Sequence, residues 1–415
     1  MSPAAAPRSD VVLLFATRAA RMFAYGALSP ILGLYLLKVG LDEATIGLLL
    51  AMTLAGDTVI SLWLTTRADR LGRKRMLIAG ALLMVLGGGV FAVTGQFWPL
   101  LVAATVGVIS PHGKEVGPFL PIEQAALSQA IPAEQRTRTF AWYHLAGSFA
   151  AALGALACGG LVGALQVRGI GEPPSYRAIL FVYAGVGVLL AVLFSRLSLA
   201  AEAARLPGAA GAPIPGRFGL HRSRGIVLKL SGLFSLDALG GGFILDSMVA
   251  LWFHERFGAD AATLGAILSA ANVLAGLSGP AAAVLARRFG LLNTMVFTHA
   301  PSNMLLLLVP VMPTLPLAVA VLLLRFAISQ MDVPTRQSYT VAVVDPDERS
   351  AAAGVTGVAR STGAMLSPSL AGFLLANPVL SGGLPFVAGG ALKLIYDGLL
   401  YLTFRKVQPP EENDR

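Results

Sequence analysis

Twelve apolar runs, at about 11–37, 44–66, 76–94, 98–128, 139–164, 176–197, 226–253, 261–286, 292–311, 315–343, 350–376 and 381–404, are each long enough to cross a bilayer as a helix. A chain patterned in this way reads as an all-α, polytopic membrane protein. Composition agrees: 55% of the 415 residues are hydrophobic and 13% charged, with a mean hydropathy of +0.72, whereas soluble proteins carry roughly 25% charged residues. The net charge of +9 would suggest a nucleic-acid partner in a soluble chain. Here the charge sits in loops between spans, and no nucleic-acid partner is expected.

Arg67-Ala-Asp-Arg-Leu-Gly-Arg-Lys-Arg75, between the second and third spans, has five Lys or Arg. Basic residues near span ends resist translocation, so this loop is expected to stay in the cytoplasm and to set the side of every other span. With both termini inside, twenty Lys and Arg fall on inner segments and four on outer ones (Lys38, Arg168, Arg177 and Arg256), so the orientation does not depend on one loop. The residues before the first span lack the basic start and small-residue cleavage site of a signal peptide. The first span is expected to be retained.

Ser198 to Gly225, with Pro207, Pro213 and Pro215 and several glycines, reads as a flexible cytoplasmic linker. It divides the chain into an N-terminal six-helix bundle (1–197), a linker (198–225) and a C-terminal six-helix bundle (226–407), with a disordered tail (408–415). Two weak echoes support two repeats. Ala68-Asp-Arg-Leu-Gly-Arg-Lys-Arg-Met-Leu77 is echoed by Ala286-Arg-Arg-Phe-Gly-Leu-Leu-Asn-Thr-Met295, with Gly72 opposite Gly290, and Pro132-Ala-Glu134 by Pro346-Asp-Glu348. The one cysteine, Cys158, excludes an internal disulfide and reads as a packing residue.

Asp69, Arg70, Gly72 and Arg73 stand at the spacing of Gly-x-x-x-Asp-Arg-x-Gly-Arg-Arg/Lys, with Thr65 in place of the first Gly. On this motif and the twelve-span layout the chain resembles the major facilitator superfamily. The resemblance implies two pseudo-symmetric six-helix bundles, a substrate site at the membrane midplane and alternating access by rocking of the bundles. It also implies a conformational latch at Asp69, Arg70, Gly72, Arg73 and Arg136, in which the Asp69 carboxylate meets a helix terminus or an Arg such as Arg136.

Fourteen charges lie within spans. The basic ones are Arg18, Arg21, Lys114, Arg325, Arg336, Arg360 and Lys393, and the acids are Asp57, Glu115, Glu123, Asp237, Asp246, Asp332 and Asp397. Each would cost about 2.5–3.5 kcal/mol at a helix centre, so they must face water or one another. Ten of them fall on the first, fourth, seventh and tenth spans, the four that line the central cavity in the resembled family. Arg18 and Arg21 share a helix face too deep in the membrane for both to reach the inner headgroups. They require neutralisation by Glu115 or Glu123, by acids of the seventh span, or by an anionic substrate. Asp332 with Arg336, and Lys393 with Asp397, are spaced to pair along their own helices, the last two in a span that in the family supports from outside.

Breakers fall in the same places. Ser110-Pro-His-Gly-Lys-Glu-Val-Gly-Pro-Phe-Leu-Pro121 sets three prolines and two glycines in mid-membrane, and Pro334 interrupts the tenth span. Proline removes a backbone donor, which at this depth is tolerated beside a cavity or packed protein and points to a binding and bending position. Gly363-Ala-Met-Leu-Ser-Pro-Ser-Leu-Ala-Gly372 resembles the family's antiporter pattern, but in the eleventh span. The fifth span, where that pattern belongs, has Gly154-Ala-Leu-Ala-Cys-Gly-Gly160 without proline, so export gains no support. His144, beside Trp142 and Tyr143, suits either a proton carrier or a packed ring.

These readings converge on a secondary transporter for a small polar solute, anionic or zwitterionic. Substrate contacts are expected at Arg18, Arg21, His112, Lys114, Glu115, Arg325, Asp332 and Arg336, with proton coupling at Glu123, Asp237 and Asp246, because buried carboxylates can hold protons near working pH. No phosphate-binding loop of the Gly-x-x-x-x-Gly-Lys-Ser/Thr type is present, and histidines at 112, 144, 221, 254 and 299 have no metal-ligand spacing. Neither enzyme activity nor a cofactor or metal is expected. The expected partners are the solute, protons and membrane lipids, the chain acting as a monomer in a bacterial inner membrane. The alternatives are a proton-driven multidrug exporter of the same fold and a non-transporting membrane sensor.

Overall fold

Four of the twelve spans do not run as single helices, and they are the four that carry most of the buried charge. The computed structural model describes residues 8–132, 135–198, 201–202, 220–345, 348–377 and 382–407, with the side chains of residues 8, 69, 70, 137 and 350 outside the description. Among these residues the helices are α1 (Arg8–Leu28), α2 (Leu32–Lys38), α3 (Glu43–Leu71), α4 (Arg73–Val93), α5 (Phe97–Val106), α6 (Phe119–Ala130), α7 (Arg136–Val167), α8 (Glu172–Ser195), α9 (Arg224–Gly242), α10 (Asp246–Phe257), α11 (Ala261–Phe289), α12 (Leu291–Leu308), α13 (Leu315–Ser329), α14 (Asp332–Ala342), α15 (Arg349–Ala376) and α16 (Leu384–Phe404). Most of the linker and the whole tail lie outside the described residues.

The first span breaks between α1 and α2 at Pro30, and the fourth between α5 and α6 across Gly107–Pro118. The seventh breaks between α9 and α10 after Gly240-Gly-Gly242, and the tenth between α13 and α14, just before Pro334. Among the described residues, ten segments are long and apolar enough to cross a membrane. The other two spans are the divided fourth and α15, whose 28 residues are diluted by Gly, Ser, Thr and Arg360.

Helix packing groups the chain into two units, Met1–Arg205 with Leu245–Val273, and Leu206–Ile244 with Leu274–Arg415. In the first unit α1 lies along α7, α4 along α8, and α10 packs on α2. Gly154 of α7 lets α1 approach so closely that a Cβ there would overlap the Phe23 carbonyl oxygen. In the second unit α9 lies along α15 and α12 along α16. Gly363 of α15 likewise admits the Ser235 carbonyl of α9, so Gly154 and Gly363 are points of close helix approach.

The repeat is more detailed than the sequence echoes suggest. Gly72 and Gly290 each join two helices with positive φ and extended ψ (+106° and 125°, +83° and 163°), a backbone region that is essentially glycine-only. Asp42 and Asp260 each cap the next helix, accepting from the N–H of Thr45 at 2.7 Å and of Thr263 at 2.8 Å. The threonine hydrogen bonds hold both carboxyls below the usual range. Asp42-x-Ala44-Thr45-x-Gly47 and Asp260-x-Ala262-Thr263-x-Gly265 are thus a third echo. Arg136 and Arg349, the first residues of α7 and α15, each send Nε to the carbonyl eight residues back, Ser128 and Val341, both at 3.1 Å. Of the Pro132/Pro346 echo, residues 133, 134, 346 and 347 lie outside the described residues.

Candidate functional site

The broken fourth span keeps its backbone groups satisfied by side chains, as membrane depth demands. Tyr183 Oη donates to the Val108 carbonyl at 2.8 Å, Tyr25 Oη to Val116 at 3.2 Å and Ser110 Oγ to Lys114 at 2.8 Å. The Ser247 N–H donates to the Pro111 carbonyl at 3.0 Å, and the Gly117 N–H to Asp57 Oδ1 at 2.5 Å. Asp57 is therefore a support for the unwound segment. His112 Nδ1 accepts from the Lys114 N–H at 3.3 Å, while the Lys114 side chain is exposed.

From this segment hangs the first charge network. Arg21 is fully buried and donates to Glu123 at 2.8 and 2.7 Å and to Glu115 at 2.9 Å. Arg18 donates to Glu115 at 2.8 Å, lies 3.4 Å from His144 Nδ1 and stacks over the Tyr143 ring at 4.5 Å. Glu123 also accepts from Tyr143 Oη at 2.5 Å and Thr17 Oγ1 at 3.1 Å. Of the neutralising partners expected for the two arginines, the structure supplies the acids of the fourth span. The network is closed at Glu123 and opens through Glu115, 16% exposed at its side chain, towards the exposed Lys114 and His144.

The second network has Asp237 at its centre. Its carboxylate takes Lys393 Nζ at 2.6 Å, Arg336 at 3.0 Å and Arg360 at 3.1 Å, and Arg336 also binds Asp332 at 2.8 Å. The pairing expected between Lys393 and Asp397 along α16 does not form. Gly240 and Gly389 bring α9 and α16 together, a Cβ on Gly240 falling 2.8 Å from both the Gly389 carbonyl and Lys393 Cγ, so Lys393 reaches across to Asp237. Asp397 instead meets His299 and Asn303. The twelfth span is therefore part of the charged core of this unit.

The two networks mirror each other with the charges exchanged. Arg21 and Asp237 are each the fourteenth residue of their helix, α1 and α9, and their partners Glu123 and Arg336 each the fifth of theirs, α6 and α14. Asp246 opens α10 in the first unit, buried, with Oδ2 3.5 Å from where a Cβ of Gly113 would lie. Arg325 is buried on α13 over the Phe326 ring at 5.0 Å.

The Major Facilitator Superfamily profile matches residues 14–368 and 238–415. The chain belongs to the major facilitator superfamily. It is 30% identical over 422 residues, 95% of this chain and 94% of the relative, to the uncharacterized membrane protein YJR124C of Saccharomyces cerevisiae (strain ATCC 204508 / S288c). Over 117 residues, 28% of this chain and 29% of the relative, it is 28% identical to the quinolone resistance protein NorA of Staphylococcus aureus (strain MRSA252). Its fold is shared with a bacterial homologue of the human lysosomal transporter Spinster, with a TM-score of 0.74 at 14% identity, covering 95% of this chain and 96% of that one. It is thus an integral, multi-pass membrane protein with the all-α fold of a transporter superfamily.

The superfamily's loop motif lies at the α3–α4 junction. The side chains of Asp69 and Arg70 fall outside the described residues. Gly72 makes the turn, and Arg73 is buried, donating from its guanidinium to Gln129 Oε1 at 2.8 Å. The N–H groups that open α4 donate to Glu202, that of Arg73 at 2.6 Å and that of Lys74 at 3.3 Å. Arg136 holds the Ser128 carbonyl. Glu202 and Thr17 are absent from the sequence reading, where Tyr143 figures only as a neighbour of His144 and His299 only as a histidine without metal-ligand spacing. Buried charge signals were weighed by span, and these residues owe their positions to contacts distant in the chain.

Proposed function

We propose that the protein is a secondary active transporter that moves a small polar solute, zwitterionic or anionic, by alternating access in exchange for or together with protons, with both termini on the cytoplasmic side. The observation that carries this reading is the pair of largely buried charge networks centred on the four broken spans, the second drawing in Arg360 of α15 and Lys393 of α16. Charges at membrane depth mark solute or proton pathways, and half-helix breaks supply bending positions. Lys114, Glu115 and His144 offer both signs of charge at the open edge of the first network, which suits a solute carrying a carboxylate and an amine. At the closed end, every donor to Glu123 uses its acceptor oxygens, so a proton arriving there competes directly with Arg21. Releasing Arg21 in this way links protonation to rearrangement of α1 against α6. The basic inner loops support the orientation.

The test is a defined mixture of amino acids, nucleosides, sugars and carboxylates offered to sealed vesicles containing the purified protein, with lumenal contents read by mass spectrometry. At least one polar solute should accumulate unchanged under a pH gradient and lose accumulation when a protonophore is added. The short match to the quinolone resistance protein NorA favours a second reading, a proton-driven exporter of drugs or toxic compounds. Movement of a quinolone, with none of the polar solutes, would select it.

A further inference from the structure

Asp397 is buried, 2% exposed, and among the described residues no Lys or Arg lies within ion-pair distance of it. Its oxygens face His299 Nδ1 at 2.8 Å and the Asn303 amide nitrogen at 2.9 Å. A carboxylate buried at membrane depth needs a positive partner. The group in reach that can become one is the His299 imidazole, 5% exposed on α12. Across the ring, Nε2 faces Asp237 Oδ1 at 3.6 Å. A neutral imidazole carries one N–H, whereas the imidazolium carries two. A carboxylate oxygen bonded at Nδ1 and a second within ion-pair reach of Nε2 favour the imidazolium, while the Asn303 amide nitrogen, 3.1 Å from Nδ1, favours a ring with that lone pair free.

The elements packed around the ring oppose that proton. Asp237 Oδ1, on α9, is also bound by Lys393 Nζ of α16, and Oδ2 by Arg336 of α14 and Arg360 of α15. Asp332 of α14 offsets Arg336, α13 carries Arg325, and the Tyr396 ring stands edge-on to His299 at 5.8 Å. Without the proton, Asp237, Asp332 and Asp397 balance Arg336, Arg360 and Lys393. With it, Asp397 gains a partner of its own, and Lys393 and the imidazolium contend for one carboxylate oxygen. Two opposed arrangements of one coupled cluster are what a reversible proton site requires.

We propose that the His299–Asp397 pair is the binding site of a transported proton, held as an imidazolium between Asp397 and Asp237 in competition with Lys393. The proton adds to the free ring nitrogen lone pair and leaves from it, with no other bond made or broken. The role in transport rests on the proton-coupled reading above; the site itself does not.

The test is nitrogen-15 NMR of the full chain, labelled at histidine and held in lipid nanodiscs, from about pH 5 to about pH 9, a range that brackets histidine titration. The resonances lost in His299→Gln should pass from one ring N–H to two as pH falls. The downfield proton signal of the Nδ1–H bound to Asp397 should vanish in Asp397→Asn. Should His299→Gln not fold, the signal perturbed in Asp397→Asn gives the assignment. A His299 ring fixed in one protonation state across the range overturns the proposal and leaves proton coupling standing on Glu123. A titrating ring in a protein whose vesicle uptake ignores the pH gradient sustains the site and removes proton coupling instead.

Discussion

Arg21 grips Glu123 with both terminal nitrogens, at 2.8 and 2.7 Å, and neither side chain is exposed to solvent. Removing one member of such a pair strands a buried charge. Arg21→Ala is expected to lower unfolding free energy by about 3–5 kcal/mol, whereas Arg21→Met with Glu123→Leu should recover most of that loss, since Glu115 keeps Arg18 at 2.8 Å. Unfolding of the purified variants, followed by loss of the monodisperse species on heating, checks the ordering.

Asp237 is the shared counter-charge of Lys393, Arg336 and Arg360. Asp237→Asn should destabilise more than Lys393→Met, because it exposes three cations to one another while the second change removes only one. The double variant should be more stable than Asp237→Asn alone. Equal effects of the two single changes would mean that Asp237 does not organise the cluster.

Gly72 and Gly290 sit where a side chain is strained by the backbone alone. Gly72→Ala and Gly290→Ala should each cost about 1–3 kcal/mol. Gly89→Ala, within helix α4 and with no atom near a new Cβ, should be neutral or stabilise by about 0.5–1 kcal/mol. Melting temperatures of the three variants in one detergent make the comparison.

In the second unit, Glu348 accepts from the N–H groups of His221, Arg222 at 2.9 Å and Ser223 at 2.7 Å, just before α9. Burial pushes its carboxyl up, and the Ser223 side chain with the backbone donors outweighs this, holding it at about 2 against the usual 4.5. A carboxyl depressed by folding stabilises the fold above its unfolded value and loses that contribution as pH falls towards the folded one. Glu348→Gln should therefore lower stability at neutral pH, with the difference from wild type closing between about pH 4.5 and about pH 2. A difference that persists at the acid end would assign the effect to shape.

The apolar runs, the concentration of charge on four spans and the proline breaks of the fourth and tenth were legible because each is a local property of composition and periodicity. The breaks in the first and seventh spans were less so. Pro30 lies only seven residues before the end of the apolar run at Leu37, and Gly240-Gly-Gly242 could equally serve close packing. Partner choice was not legible: Lys393 and Asp397 have the spacing of a helical pair, yet α9 and α16 meet at Gly240 and Gly389 and redirect Lys393 to Asp237. Asp57 reads as one more stray intramembrane acid until its bond to the Gly117 N–H is seen.

The coupling of solute to protons is tested most directly by the solute's own movement. Vesicles containing the protein and a trapped pH-sensitive dye, with no initial pH gradient, receive a solute from the panel that the protein transports. Downhill movement of that solute should change lumenal pH in proportion to its uptake, and vesicles without protein should show no change. Solute entry at full rate with lumenal pH constant would contradict the account.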